Sequence, residues 1–146
     1  MKSLFSVKIN PGTIDVLLLI LRVSVAVMML THGWPKLNRL IAGGEIKFLD
    51  FMGLGPGASL ALAVFAEVVC SIFILFGFGT RIAAVPLIIT TLVIVFHAHA
   101  DDPFSKKEMP VHYMVSYFIL LVAGSGKYSV DKLISNRYSP GRSLKY

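Results

Sequence analysis

Charged side chains are nearly absent from four stretches of the chain, residues 14–33, 58–78, 82–100 and 111–124. The first three hold about the 20 helical residues that a hydrocarbon layer roughly 30 Å thick requires at about 1.5 Å per residue. The fourth is short, but Ser105 and Glu108 stand at the S-x-x-E spacing of a capping box, which starts a helix near Lys106. Pro110 then falls in its second turn and should kink it, because proline supplies no amide hydrogen. The pattern therefore predicts helices over about 14–33, 58–78, 82–100 and 106–124. With one long connection and the rest short, the simplest arrangement is an all-α integral membrane four-helix bundle, up-down-up-down. Residues 1–146 form a single transmembrane domain on this reading, with 125–146 as a basic tail.

Composition points the same way. The 146 residues are 55% hydrophobic and 15% charged, with a mean hydropathy of +0.75. A soluble domain of that size has too much surface to hide so much apolar side chain, so lipid is the expected solvent. Lys2 and Lys8 ahead of an apolar run also suit a signal peptide. The run is too long for one, contains Arg22 and lacks a small-x-small site, which favours a retained first helix. Cys70 is the only cysteine, so a disulfide or dithiol pair within one chain is excluded.

Charge sets an expected orientation. Four spans place both termini on one side with Lys2, Lys8, Arg81, Lys127, Lys132, Arg137, Arg142 and Lys145, against Asp15 and Asp131. The other side carries Lys36, Arg39, Lys47, Lys106 and Lys107 against five acids. The lysine and arginine bias puts the termini on the cytoplasmic side. The net charge of +6 lies wholly on that face, where anionic headgroups attract it. Phosphate-loop, zinc-finger and RNA-binding signatures are missing, so nucleotide and nucleic-acid roles are not expected.

Two charges fall deep inside the predicted spans, away from their ends. Arg22 lies roughly 12 Å from the start of the first helix, and Glu67 roughly 16 Å from the end of the second, at about 1.5 Å per residue. Either charge left alone at mid-bilayer costs about 2.5–3.5 kcal/mol or more. The similar depths on antiparallel neighbours predict an Arg22–Glu67 pair in the bundle interior. Such a pair either fixes helix register only or also serves a ligand, proton or quinone.

Other polar residues follow the same logic. Cys70 and Ser71 stand three and four residues after Glu67, and so share its face; Thr90 with His97, Tyr113 with Tyr117, and His112 with Ser116 form further rows. His32, His97, His99 and His112 all fall at the extracytoplasmic rim beside Asp101, Asp102 and Glu108. Imidazoles among carboxylates suit proton transfer, polar-ligand contact or plain interfacial solvation, and metal binding is not expected here. Candidate ligand or proton-relay residues are thus His32, His97, His112, Tyr113, Tyr117, Cys70 and Ser71. In the long connection, Pro35 should stop the first helix, and residues 46–52 suit a short amphipathic helix at the membrane. Ser129 is the expected N-cap of a short helix in the tail.

Arg22 with the "HGWPKL" that ends its helix, the run "FAEVVCSIFILFGFGTRIAA" and the closing "GSGKYSVD" together resemble the DoxX family of small four-helix bacterial membrane proteins. The resemblance covers about residues 17–131. It implies a membrane-embedded role linked to oxidoreductase systems, some relatives being associated with thiosulfate:quinone oxidoreduction and others with thiol or oxidative-stress complexes. Because the chain lacks a flavin or dinucleotide motif, a haem-ligand pair and a second cysteine, the expected part is a subunit or a quinone-binding module with no tightly bound cofactor. Expected partners are the lipid bilayer, an oxidoreductase protein and further copies of the chain. A non-catalytic scaffold or assembly factor and a small-solute or proton permease are the rival readings, and whether the chain is an enzyme stays open.

Overall fold

The computed structural model describes residues 10–138, and among these the regular structure is entirely helical. Five helices follow one another: α1 (Pro11–Ala42), α2 (Pro56–Phe76), α3 (Thr80–Ala98), α4 (Phe104–Ala123) and α5 (Val130–Tyr138). The first three are long and apolar enough to cross a membrane. Their exposed surfaces carry large apolar side chains such as Ile20, Val27, Phe65 and Ile82, which implies contact with lipid. α4 begins with Lys106, Lys107 and Glu108, and becomes apolar only afterwards. α2 packs against α1 and α3, α3 makes its most extensive contact with α4, and α4 touches α1. Leu18, Val25, Ala26, Met29, Ile74, Leu87, Tyr117 and Leu120 share the main core between them.

α1 does not stop at Pro35. It runs to Ala42, 32 residues in all, with Pro35 inside it. Proline removes one helix hydrogen bond, but the turns beyond it have apolar surface to cover. Leu37 and Leu40 pack on a second cluster built by Leu60, Val64 and Val68 of α2. The helix expected over 46–52 is not formed either. That segment is irregular, and Ile46 and Phe48 reach the same cluster without it. Gly33 makes the close approach of α1 and α2 feasible, since a Cβ there would lie 2.8 Å from Val68 Cγ2 and 3.1 Å from the backbone carbon of Glu67.

α4 starts two residues earlier than expected, at Phe104, with no side-chain cap, so the Ser105–Glu108 box is not made. It passes through Pro110 as one helix. Ser129 does cap α5, its Oγ accepting from the Lys132 amide at 3.2 Å. Lys2 and Lys8, and the last part of the tail with Arg142 and Lys145, lie outside the described residues.

α2 and α3 each contain a turn with π-type hydrogen bonding, over Phe65–Cys70 and Ile94–Ala98. Glu67 and His97 sit in these turns. The wider turn shifts the faces that a 3.6-residue period assigns, and such turns recur at functional positions.

Candidate functional site

Arg22 and Glu67 are both buried, at 2% and 1% exposure, but they are not partners. Arg22 Nη1 donates to the Ser125 carbonyl at 2.7 Å and Nη2 to the Tyr128 carbonyl at 2.6 Å. Glu67 pairs through Oε1 with the Lys36 ammonium. The expected Arg22–Glu67 pair is therefore replaced by two separate arrangements. The cause is helix register: the Glu67 backbone stands against Gly33, eleven residues and about 16 Å further along α1 than Arg22 at about 1.5 Å per residue. Side chains lean toward the N-terminus of their own helix, which on antiparallel helices widens that gap. Lys36, nearly four turns further along α1, leans back toward Glu67.

The Arg22 arrangement closes the end of the molecule formed by the start of α1, the α2–α3 turn and the segment after α4. Asp131 accepts the amides of Gly79 at 2.7 Å and Thr80 at 3.2 Å, and its own amide donates to the Gly77 carbonyl at 2.9 Å. Asp15 accepts the Lys127 amide at 2.9 Å, and Arg81 Nη2 donates to the Val122 carbonyl at 3.1 Å. Gly77 has φ +69°, and any Cβ on it would run into Arg22 and lie 2.6 Å from Ser129 Cβ. Glycine is the residue that permits this turn. Most donors and acceptors here satisfy one another within the chain, Arg22 Nε and the Thr80 hydroxyl being the buried exceptions among the described residues, and the arrangement acts as a clamp on the fold.

The Glu67 arrangement is different because its polar atoms outnumber their partners. Glu67 Oε2, Ser71 Oγ, Tyr113 OH and Tyr117 OH are all buried with no hydrogen-bond partner among the described residues. The Glu67 carboxylate acts electrostatically on both phenols, and Ser71 adjoins the Tyr117 hydroxyl. Tyr113 and Tyr117 stack at 6.2 Å between ring centroids, and His32 meets Tyr113 edge-on at 6.0 Å. Each unpaired buried hydroxyl or carboxylate oxygen costs about 1–3 kcal/mol, more for a charge. Four in one place form a buried polar cluster with hydrogen-bonding capacity left open. Lys36, with 27% of its side chain exposed, joins this interior to the rim, where Phe48 lies 6.0 Å from its ammonium.

Of the sequence candidates, the structure gathers Glu67, Ser71, Tyr113, Tyr117 and His32. Cys70 is buried in the apolar core. His97 is exposed and edge-on to Phe51 at 6.3 Å, and His112 is exposed with Nδ1 on the Glu108 carbonyl at 2.8 Å, so neither faces the pocket. His99 instead bonds Asp102 at 2.7 Å, and Lys106 joins them at 3.1 Å, holding the Asp102 carboxyl below the usual carboxylate range. The rim histidines thus disperse among separate local partners. Among the described residues no three His, Cys, Asp or Glu side chains converge as a metal site would require. Lys36 is the functional residue the sequence reading missed. Its signal was the four-residue spacing from His32, which places both on one face of α1 once the helix is allowed past Pro35.

The sequence matches the DoxX family over residues 17–100. Inner membrane protein YqjF of Escherichia coli is 28% identical over 130 residues, which cover 85% of this chain and 96% of that protein. Inner membrane protein YphA of the same organism is 30% identical over 127 residues, covering 80% of this chain and 89% of that one. No solved structure matches significantly.

Proposed function

The chain belongs to the DoxX family, and from that premise we propose that it is a ligand-binding module of a membrane oxidoreductase system, taking a small polar or quinone headgroup at Glu67. On this reading α1 to α4 form an up-down-up-down four-helix bundle within one domain, in the inner membrane, with both termini cytoplasmic. The names of its two Escherichia coli relatives and the excess of lysine and arginine toward the termini support that placement.

The observation that carries the proposal is the set of four unpartnered polar atoms on Glu67, Ser71, Tyr113 and Tyr117. Aromatic and aliphatic walls with a few convergent polar groups are the usual make-up of a small-molecule site. The three hydroxyls offer donors to quinone carbonyl oxygens, and Glu67 Oε2 offers an acceptor to a quinol hydroxyl. Lys36 and His32 border the route from the rim, and Lys36 exchanges the carboxylate with an arriving ligand. A partner protein supplies the redox cofactor in this scheme, and the chain holds and orients the headgroup.

Trp34, the single tryptophan, lies in α1 two residues from both His32 and Lys36 and is 59% exposed, so its fluorescence follows a ligand reaching this stretch of the helix. The purified full chain in lipid nanodiscs, titrated with a short-chain quinone, should show saturable quenching of Trp34 fluorescence. Tyr117→Phe should weaken the apparent affinity for the quinone by about tenfold, and Glu67→Gln that for the corresponding quinol, each by the loss of one hydrogen bond to a buried polar group. Arg22→Lys, at the other end of the molecule, should leave both unchanged. Quenching that rises linearly with the same slope in every variant rejects the binding role.

A scaffold reading has one observation of its own in favour. Arg22, the other buried charge, is committed to the carbonyls of its own chain, as a residue serving only the fold would be. Full quinone affinity in the Tyr117→Phe protein and full quinol affinity in the Glu67→Gln protein, together with normal partner assembly, would favour that reading.

A further inference from the structure

The start of α3, the end of α4 and the flank of α5 enclose a groove of about 490 Å³, at the end of the molecule opposite the Lys36 rim. Its walls include Thr80, Arg81, Ile82, Asp131, Lys132 and Ser135. The groove is cationic on balance. Asp131 spends both carboxylate oxygens on the amides of Gly79 and Thr80, whereas Arg81 uses only Nη2, on the Val122 carbonyl. Lys132 makes no ion pair among the described residues. Thr80 is fully buried in the wall, and its hydroxyl has no hydrogen-bond partner among the described residues.

One side of the groove is apolar and open. Ile82, in the wall, is 80% exposed, and Val122 and Leu133, next in sequence to the lining residues Ala123 and Lys132, are 63% and 67% exposed. Ile82 and Val122 belong to helices that run on into the hydrocarbon layer, so the groove stands where polar headgroups give way to acyl chains. Two cations and an unused hydroxyl beside a lipid-facing apolar strip match a ligand that is anionic at one end and hydrocarbon at the other. We propose that this groove binds the phosphate headgroup of an anionic phospholipid, with Arg81 and Lys132 on the phosphate and Ile82, Val122 and Leu133 along the first part of an acyl chain. The bound lipid ties α5 to the membrane face of the bundle. The site is separate from the Glu67 pocket and does not depend on its ligand.

Native mass spectrometry of the full chain in detergent, with phosphatidylglycerol or phosphatidylcholine added, tests the assignment. Phosphatidylglycerol should be retained at least about fivefold more, since one lysine or arginine near a phosphate contributes about that factor. Arg81→Gln with Lys132→Gln should abolish the preference. Lys127→Gln with Arg137→Gln, on the same face outside the groove, should preserve it. Equal retention of the two lipids, or equal loss in both double variants, overturns the groove in favour of diffuse surface charge. Glycerol phosphate at millimolar concentration should displace little lipid; complete displacement means that the site reads a free phosphate, and it overturns the lipid assignment. The Arg81→Gln with Lys132→Gln protein gives up one exposed hydrogen bond to the Val122 carbonyl and should melt within a few degrees of the parent chain, and the Lys127→Gln with Arg137→Gln protein should melt with it.

Discussion

A buried charge takes its partner from the groups its side chain can reach, and in this molecule that rule separates Arg22 from Glu67. Arg22 leans to the chain end and finds two carbonyls; Glu67 leans the other way and finds Lys36. Removing Lys36 alone leaves a carboxylate with 1% exposure and no counter-charge. Loss of one member of a buried pair costs about 3–5 kcal/mol, whereas replacing both members is often close to neutral. Lys36→Met should therefore destabilise the chain by about 3 kcal/mol, and Lys36→Met with Glu67→Gln should recover most of that loss. A thermal-unfolding cycle in detergent reads the difference; additive losses would mean that the two groups do not interact. The burial of Arg22 and Glu67 was legible from their isolation in apolar runs. Their true partners were not, because depth counted from the predicted helix ends misses the register in which Glu67 stands against Gly33, and because Lys36 stands beyond a proline that reads as a stop.

At the scale of helices, hydrophobic length located α1 to α4 but left their ends uncertain. Turns past Pro35 persist because Leu37 and Leu40 have α2 to cover, a tertiary term that local patterning does not contain. The π turn at Phe65–Cys70 has no counterpart in residue type either, yet it carries Glu67 toward Lys36 on α1. Gly33 marks the contact between these elements. Alanine in a helix is favoured over glycine by about 1 kcal/mol, while overpacking a tight contact costs about 1–3 kcal/mol. A methyl group at Gly33 meets the backbone of Glu67, which cannot rotate away, so the second effect wins. Gly33→Ala should lower the melting temperature, and Gly33→Val should lower it further. Gly12→Ala, whose Cβ has only Asn10 Oδ1 at 3.7 Å, should not lower it. A gain in stability for Gly33→Ala would show that α1 and α2 do not pack this closely.

For the whole molecule, the two polar arrangements lie at opposite ends, one bonded to carbonyls of its own chain and the other with polar atoms left unpartnered among the described residues. The segment after α4 reads from sequence as a basic tail, but part of it is structural. Ser125 and Tyr128 supply the carbonyls that satisfy Arg22, Asp131 caps the start of α3, and Lys127 is held by Asp15. These contacts lie far apart along the chain, which explains why no local pattern announced them. They also make the tail divisible at a defined point. A chain ending at Gly124 exposes the buried Arg22 guanidinium without acceptors and leaves the Gly79 and Thr80 amides uncapped, where each hydrogen bond to a charged group is worth about 1.5–3 kcal/mol. That truncation should fail to accumulate as folded protein in the membrane. A chain ending at Tyr138 keeps every contact of the clamp, since the last of them involves Lys132, and should melt at the temperature of the full chain. Measuring both truncations by membrane yield and thermal unfolding tests the division directly, for equal loss in the two would place the holding interaction beyond residue 138, whereas equal tolerance would show that Arg22 does not need these carbonyls.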